Sequence, residues 1–158
     1  MPELRSILLA EDNANDVELT LEALAENHLA NEVFVARDGA EALDYLLRQG
    51  HYRLRAPGNP CVVLLDLKMP KVDGLGVLRA IRGDENLKTL PVVIMTSSRE
   101  EKDLVESYRL GVNAYVVKPV NFVEFVSAVK QVGAFWAVLN EPAPGSIRPD
   151  RFGGALPK

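Results

Sequence analysis

An α/β architecture, a doubly wound sheet of five parallel strands with five helices, is predicted by three features of this 158-residue chain. Short apolar runs alternate five times with longer segments of helical period. The runs are rich in Val, Ile and Leu with hardly a polar residue among them, the composition of strands covered on both faces. Capping residues stand at the joints between the two kinds of segment.

The predicted strands are residues 6–10, 32–36, 61–65, 91–95 and 114–117. Between them, Val17, Leu21 and Leu24 fall on one side of a helix, and Val77, Leu78 and Ile81 group on another. Asn15 with Glu18, Asp38 with Glu41, Ser98 with Glu101, and Asn121 with Glu124 each set a capping oxygen three residues ahead of a glutamate. Gly39 and Gly111 mark turns, Gly111 just past the last periodic residue of its helix. Five βα units with right-handed crossovers give a parallel sheet between two helical layers. That domain spans residues 4–139. Residues 140–158, with Pro142, Pro144, Pro149 and Pro157 among Gly145, Gly153 and Gly154, read as an extended or disordered tail too short to form an output domain.

Composition narrows the function. Hydrophobic residues make up 47% and charged residues 25%, the balance of a soluble globular protein. A net charge of −4 argues against nucleic acid as a direct partner, because phosphate backbones call for a concentrated basic face. Arg48, Arg53 and Arg55 read as solvated surface. Cys61, the one cysteine, allows no internal disulfide and opens an apolar run, so it reads as a small buried side chain. His28 and His51 lack metal-ligand spacing. No secretory apolar region opens the chain, and no apolar stretch approaches the roughly 18 residues of a membrane span, which predicts a cytoplasmic protein with no membrane contact.

The chemistry lies in the residues that end the strands, because ligands of open parallel sheets bind beyond the strands' carboxyl ends. Strand one ends in Glu11-Asp12, strand three in Asp66, strand four in Thr96 and strand five in Lys118-Pro119. Three acids, a hydroxyl and an ammonium therefore meet at one edge. Crowded carboxylates repel one another unless a hard divalent cation joins them, and Mg²⁺ prefers such oxygen ligands. Asp12 and Asp66 are ligand candidates, with Glu11 holding a metal-bound water. Asp66 is also the candidate nucleophile for phosphoryl transfer to a carboxylate. Lys118 would neutralise phosphoryl oxygens and Thr96 would donate to one.

Ile7-Leu8-Leu9-Ala10-Glu11-Asp12, Leu64-Leu65-Asp66-Leu67-Lys68-Met69-Pro70 with Asp73-Gly74, Met95-Thr96-Ser97 and Tyr115-Val116-Val117-Lys118-Pro119 together resemble the receiver domains of bacterial response regulators. The resemblance implies a flavodoxin-like sheet of order 2-1-3-4-5 and phosphorylation of Asp66 by a sensor histidine kinase. It implies Mg²⁺, or Mn²⁺, on Glu11, Asp12, Asp66 and the backbone carbonyl of Lys68. It implies a phosphoryl-binding and switch group of Thr96, Ser97, Tyr115 and Lys118, and a cis peptide before Pro119. Lys68, two residues after the acceptor, departs from the usual pattern, and the lifetime of the phosphorylated state depends on it.

A narrower resemblance rests on the insertion at residues 50–60, on Phe122, Phe125 and Phe135-Trp136, and on the proline-rich end. It is to stand-alone regulators partnered with bacterial phytochromes, which implies a light-regulated kinase. Apolar residues of the last helix spread around more than one face, and the surplus predicts a homodimer through Leu104, Tyr108, Val120, Phe122, Phe125, Val129 and Trp136. Three other readings compete. A haloacid-dehalogenase-type phosphatase would need an aspartate where Lys68 stands. A degenerate receiver serving only as an interaction module would have lost the acceptor, acid pair or lysine. An NTPase would need a Gly-rich phosphate loop. Docking to an effector and passing the phosphoryl group to a relay histidine both remain open as outputs.

Overall fold

The structure is a computed structural model that describes residues 6–29 and 33–141. Its element order is β1 (Ile7–Ala10), α1 (Ala14–Ala25), β2 (Val33–Ala36), α2 (Gly39–Leu47), β3 (Val62–Leu65), α3 (Gly74–Gly83), β4 (Val92–Thr96), α4 (Glu101–Arg109), β5 (Ala114–Val117) and α5 (Phe122–Gly133), with one 3₁₀ turn at Gly50–Tyr52. The five strands are parallel in the order β2-β1-β3-β4-β5, as the resemblance implied. Each lies within a residue of its predicted run. Glu32 and residues 142–158, where a strand start and most of the tail were expected, lie outside the described residues.

Two cores explain why the strand runs are continuous. Leu8, Ala10, Val63, Leu65, Val92 and Ile94 face α2 and α3, packing on Ala42, Leu46, Val77, Leu78 and Ile81. The alternate residues Ile7, Leu9, Val62, Leu64, Val93 and Met95 face α1 and α5, packing on Val17, Leu24, Phe125 and Val129. With both pleat faces buried, neither parity of position tolerates a polar side chain.

Two of the four expected caps hold. Asp38 accepts from the Glu41 amide at 2.7 Å, and Asn121 accepts from Val123 and Glu124. The first helix starts two residues earlier than Asn15 implied, because Asn13 offers the same three-residue spacing to Asp16, and its oxygen takes the Asp16 amide at 3.0 Å. At α4 the cap position falls on Glu100, while the Ser98 hydroxyl is drawn to Asp103 instead. The insertion before β3 folds an aromatic cluster over the β2 edge. Phe34 stacks on Tyr45 at 4.1 Å, Tyr52 meets both rings edge-on, and the Arg55 guanidinium lies 4.3 Å over Tyr45.

The last helix corrects two expectations. It runs on from α5 through a π-helical segment, Ala134–Leu139, so Phe122–Leu139 is 18 residues long with mean hydropathy 1.4, long and apolar enough to cross a membrane by length and composition. Scattered polar residues hide this in a search for unbroken apolar runs. Its inner stripe, Phe125, Val129, Gly133 and Ala137, recurs every four residues and packs on α1 and the sheet. A Cβ on Gly133 would come within 2.5 Å of Leu24 Cδ2, so the glycine sets the close α1–α5 approach. Phe125 and Val129 are therefore core residues, 4% and 0% exposed, and not part of a free surface.

Candidate functional site

Sheet register brings the predicted residues together. Ala10 pairs with Leu65, so Glu11 and Asp66 leave β1 and β3 side by side, with the Asp66 amide still donating to Ala10 O at 3.0 Å. Lys118 leaves β5 bonded to Thr96 O at 2.7 Å. Three strands thus deliver an acid pair, the central acid and an ammonium to one edge. One carboxylate oxygen from each of Glu11, Asp12 and Asp66 lies within 4.8 Å of the others. That spacing and that donor set fit a hard divalent cation, for which three carboxylates offer the oxygen ligands it prefers.

The Lys118 ammonium stands among acids. It donates to Glu11 Oε1, to Asp16 Oδ2 at 2.7 Å and to Asp66 Oδ2 at 3.3 Å. Burial alone would lower its pKa, but its hydrogen bonds to Asp16 and Glu11 outweigh burial and raise it. Lys118 is therefore a fixed positive charge. Glu11, 3% exposed, has its pKa raised, chiefly by burial and further by the Asp66 charge, against the lowering pull of Lys118. Asp66 Oδ1 accepts from the Leu67 amide at 2.7 Å, and its Oδ2 faces Lys118. Lys68 is exposed, as is Asp12.

Behind the acids, Thr96 is fully buried and its hydroxyl oxygen accepts from the Ser98 amide at 3.2 Å. Ser97 is exposed. The Tyr115 phenol reaches the same loop, donating to Ser98 O at 3.2 Å. Burial, more than any neighbour, raises the Tyr115 pKa and keeps the phenol protonated. Ser98 Oγ in turn donates to buried Asp103, whose carbonyl takes Ser107 Oγ at 2.6 Å. The loop between β4 and α4 is thereby tied both to the helix that follows it and to β5.

One expectation is overturned: among the described residues no peptide bond is cis, so Lys118–Pro119 is trans, the form a prolyl bond favours by about 0.5–1 kcal/mol. Sequence reasoning missed Asp16, an acid in the first turn of α1. It also missed the Ser98–Asp103 contact, having assigned Ser98 to a helix cap. Of the expected pairing surface, Leu104, Tyr108, Val120 and Phe122 are exposed, while Trp136 is half-buried, packed edge-on to Phe135 and against the α1 core.

Residues 7–130 match the response regulator receiver domain family. The chain is 39% identical over 130 residues to the response regulator Rcp1 of Synechocystis, covering 82% of this chain and 87% of that one. The Mn²⁺-bound crystal structure of Rcp1 superposes with a TM-score of 0.82, covering 88% of this chain and 99% of that one. The phosphorylated cyanobacterial phytochrome response regulator RcpA is 41% identical, with a TM-score of 0.79 and coverage of 84% and 94%. The bacteriophytochrome response regulator AtBRR is 64% identical, with a TM-score of 0.69 and coverage of 89% and 100%.

Proposed function

Because this chain belongs to the response regulator receiver domain family, we propose that it takes a phosphoryl group from a sensor histidine kinase onto Asp66. The receiver domain occupies residues 4–139, and the kinase is of the bacterial phytochrome kind, the class with which RcpA and AtBRR are associated by name. The observation that carries the reading is Asp66 itself. A carboxylate 8% exposed at the tip of the central strand, one oxygen held by an amide and the other facing an ammonium, is costly to bury and has no structural task that an apolar residue would not perform better.

In the transfer, an Asp66 carboxylate oxygen attacks the phosphorus of a phosphohistidine, the P–N bond breaks with its electron pair going to the ring nitrogen, and the imidazole leaves, taking a proton from solvent where its other nitrogen carries none. Glu11, Asp12, Asp66 and the Lys68 carbonyl would hold Mg²⁺ or Mn²⁺, which when bound would offset the charge of the acids and of the incoming group. Lys118 supplies a fixed ammonium to the phosphoryl oxygens, and the Thr96 hydroxyl donates to one of them once it turns from the Ser98 amide. Ser97 stands beside that oxygen as a further donor. Movement of Thr96 disturbs the loop that Tyr115 and Asp103 also hold, so the charge change at Asp66 reaches α4, β5 and α5. Signalling of this kind places the protein in the cytoplasm, and its apolar α4-β5-α5 surface pairs it with a second copy. From there the signal passes to an effector or to a relay histidine.

Incubation of the full chain with acetyl phosphate and Mg²⁺ tests this. Intact-mass measurement should show one added phosphoryl group on the wild type and none on Asp66→Asn. Equal labelling of the two would remove Asp66 from the role.

A further inference from the structure

Lys118 has three N–H donors and spends all of them on carboxylates, one of which, Asp16, comes from α1 and not from a strand end. The contacts are unequal. Asp16 Oδ2 lies 2.7 Å from the ammonium and Asp66 Oδ2 lies 3.3 Å away. Glu11 Oε1 is nearer still, so the ammonium is held between Glu11 and Asp16 and stands back from the central acid. Asp16 can hold it there because its own backbone is fixed: the Asn13 cap takes the Asp16 amide, and Val17, the next residue, is packed in the core. Nothing else in the helix competes for the carboxylate, which is a quarter exposed.

We propose that Asp16 is a positioning residue that holds the Lys118 ammonium on the α1 side of the site and so keeps the Asp66 carboxylate open to a divalent cation and to the phosphoryl group. This rests on the reading of the site given above. Without the Asp16 charge, the ammonium has only Glu11 and Asp66 to neutralise, and it closes on Asp66 as a tight pair. A cation must then displace an ammonium that is already in place. With Asp16 present, Glu11 can turn to the cation while Lys118 keeps an anchor of its own. The bond between Asp16 and Lys118 thus decides which acid the lysine neutralises, and it never touches the reacting atoms.

The test is Mg²⁺ binding to the full chain by titration calorimetry, with acetyl phosphate labelling as a second readout. Asp16→Asn should bind Mg²⁺ about three- to tenfold more weakly than wild type, the range of coupling seen for contacting charged groups. Labelling should require correspondingly more Mg²⁺ while its rate at saturating Mg²⁺ changes little, a split that loss of packing would not produce. Asp16→Glu, which returns the charge one methylene further out, should recover most of the affinity. In a Lys118→Met background the Asp16→Asn effect should disappear. Unchanged Mg²⁺ affinity in Asp16→Asn, no recovery in Asp16→Glu, or an undiminished effect without Lys118 would each overturn the assignment. A wild type that binds no Mg²⁺ would sink the proposed function as well, whereas a wild type that binds and labels normally beside an indifferent Asp16→Asn would sink only this inference.

Discussion

Three carboxyl groups, on Glu11, Asp16 and Asp66, share one ammonium at the carboxyl edge of the sheet, and Asp12 lies beside Glu11 and Asp66. Like charges at such range destabilise the folded chain, and a dication that binds only the folded form reverses the effect by mass action. Saturating Mg²⁺, at about 100 times its dissociation constant, should therefore raise unfolding stability by about 2.7 kcal/mol. Urea unfolding with and without Mg²⁺ measures it, and Asp12→Asn should abolish most of the gain. A second residue-scale consequence lies in the insertion. The Tyr52 phenol donates to Glu41 at 2.6 Å, and that hydrogen bond, with burial second, pushes its pKa from 10.0 up to about 12. The folded chain holds this proton more tightly than the unfolded one. Its contribution is thus complete below pH 10.0 and is lost as pH rises through about 12. The fall in stability across that window should be shallower for Tyr52→Phe; an identical slope in both proteins would show that the Glu41 contact carries no weight.

Elements fix the site through backbone more than through side chains. The first turn of α3 sits directly against the strand end that bears the acceptor: a Cβ on Gly74 would lie 2.3 Å from Asp66 O and 2.7 Å from Leu67 Cα, and the Gly74 amide donates to Leu67 O at 2.9 Å. Neither neighbour can give way, since both are backbone. Gly74→Ala should cost about 1–3 kcal/mol in urea unfolding and weaken Mg²⁺ binding together with it, because relief of the clash must move Asp66. Such close approaches explain what could be read from the sequence and what could not. Strand runs and their terminal residues were legible because two-sided burial leaves an unmistakable apolar signature, and Glu11, Asp12, Asp66, Thr96 and Lys118 simply follow those runs. Asp16 was not legible, because an acid in the first turn of a helix has an ordinary electrostatic reason to be there. Asn15 with Glu18 carried the capping spacing, yet the helix is capped by Asn13, whose oxygen takes the Asp16 amide. The prolyl isomer at Pro119 carries no sequence signature of its own.

At the scale of the molecule, the site acids lie at the carboxyl edge of the sheet, while exposed apolar side chains occur on α4, in the turn after β5, and on α5 with its π-helical extension. Leu104, Val105 and Tyr108 are 39%, 50% and 55% exposed, Val120 is 99% exposed, and Phe122, Val123 and Leu139 are 57%, 70% and 74% exposed. Isolated exposed leucines are common on proteins, but a contiguous group on neighbouring elements calls for a partner. Because Phe125 and Val129 are spent on the core, the proposed pairing surface would centre on Val120, Phe122 and Tyr108, with α4 lending its outer side. Sedimentation equilibrium should show a dimer. Val120→Lys combined with Phe122→Glu should shift it to monomer, because two charges at the centre of an apolar contact leave each copy with unpaired groups to bury. Leu54→Ser, which removes an apolar side chain 89% exposed in the insertion, should leave the mass unchanged. A wild type that stays monomeric at every concentration, phosphorylated or not, would rule out pairing through this face. A mass that responds to Leu54→Ser and not to the Val120 and Phe122 pair would move the interface to the aromatic insertion, on the far flank of the sheet.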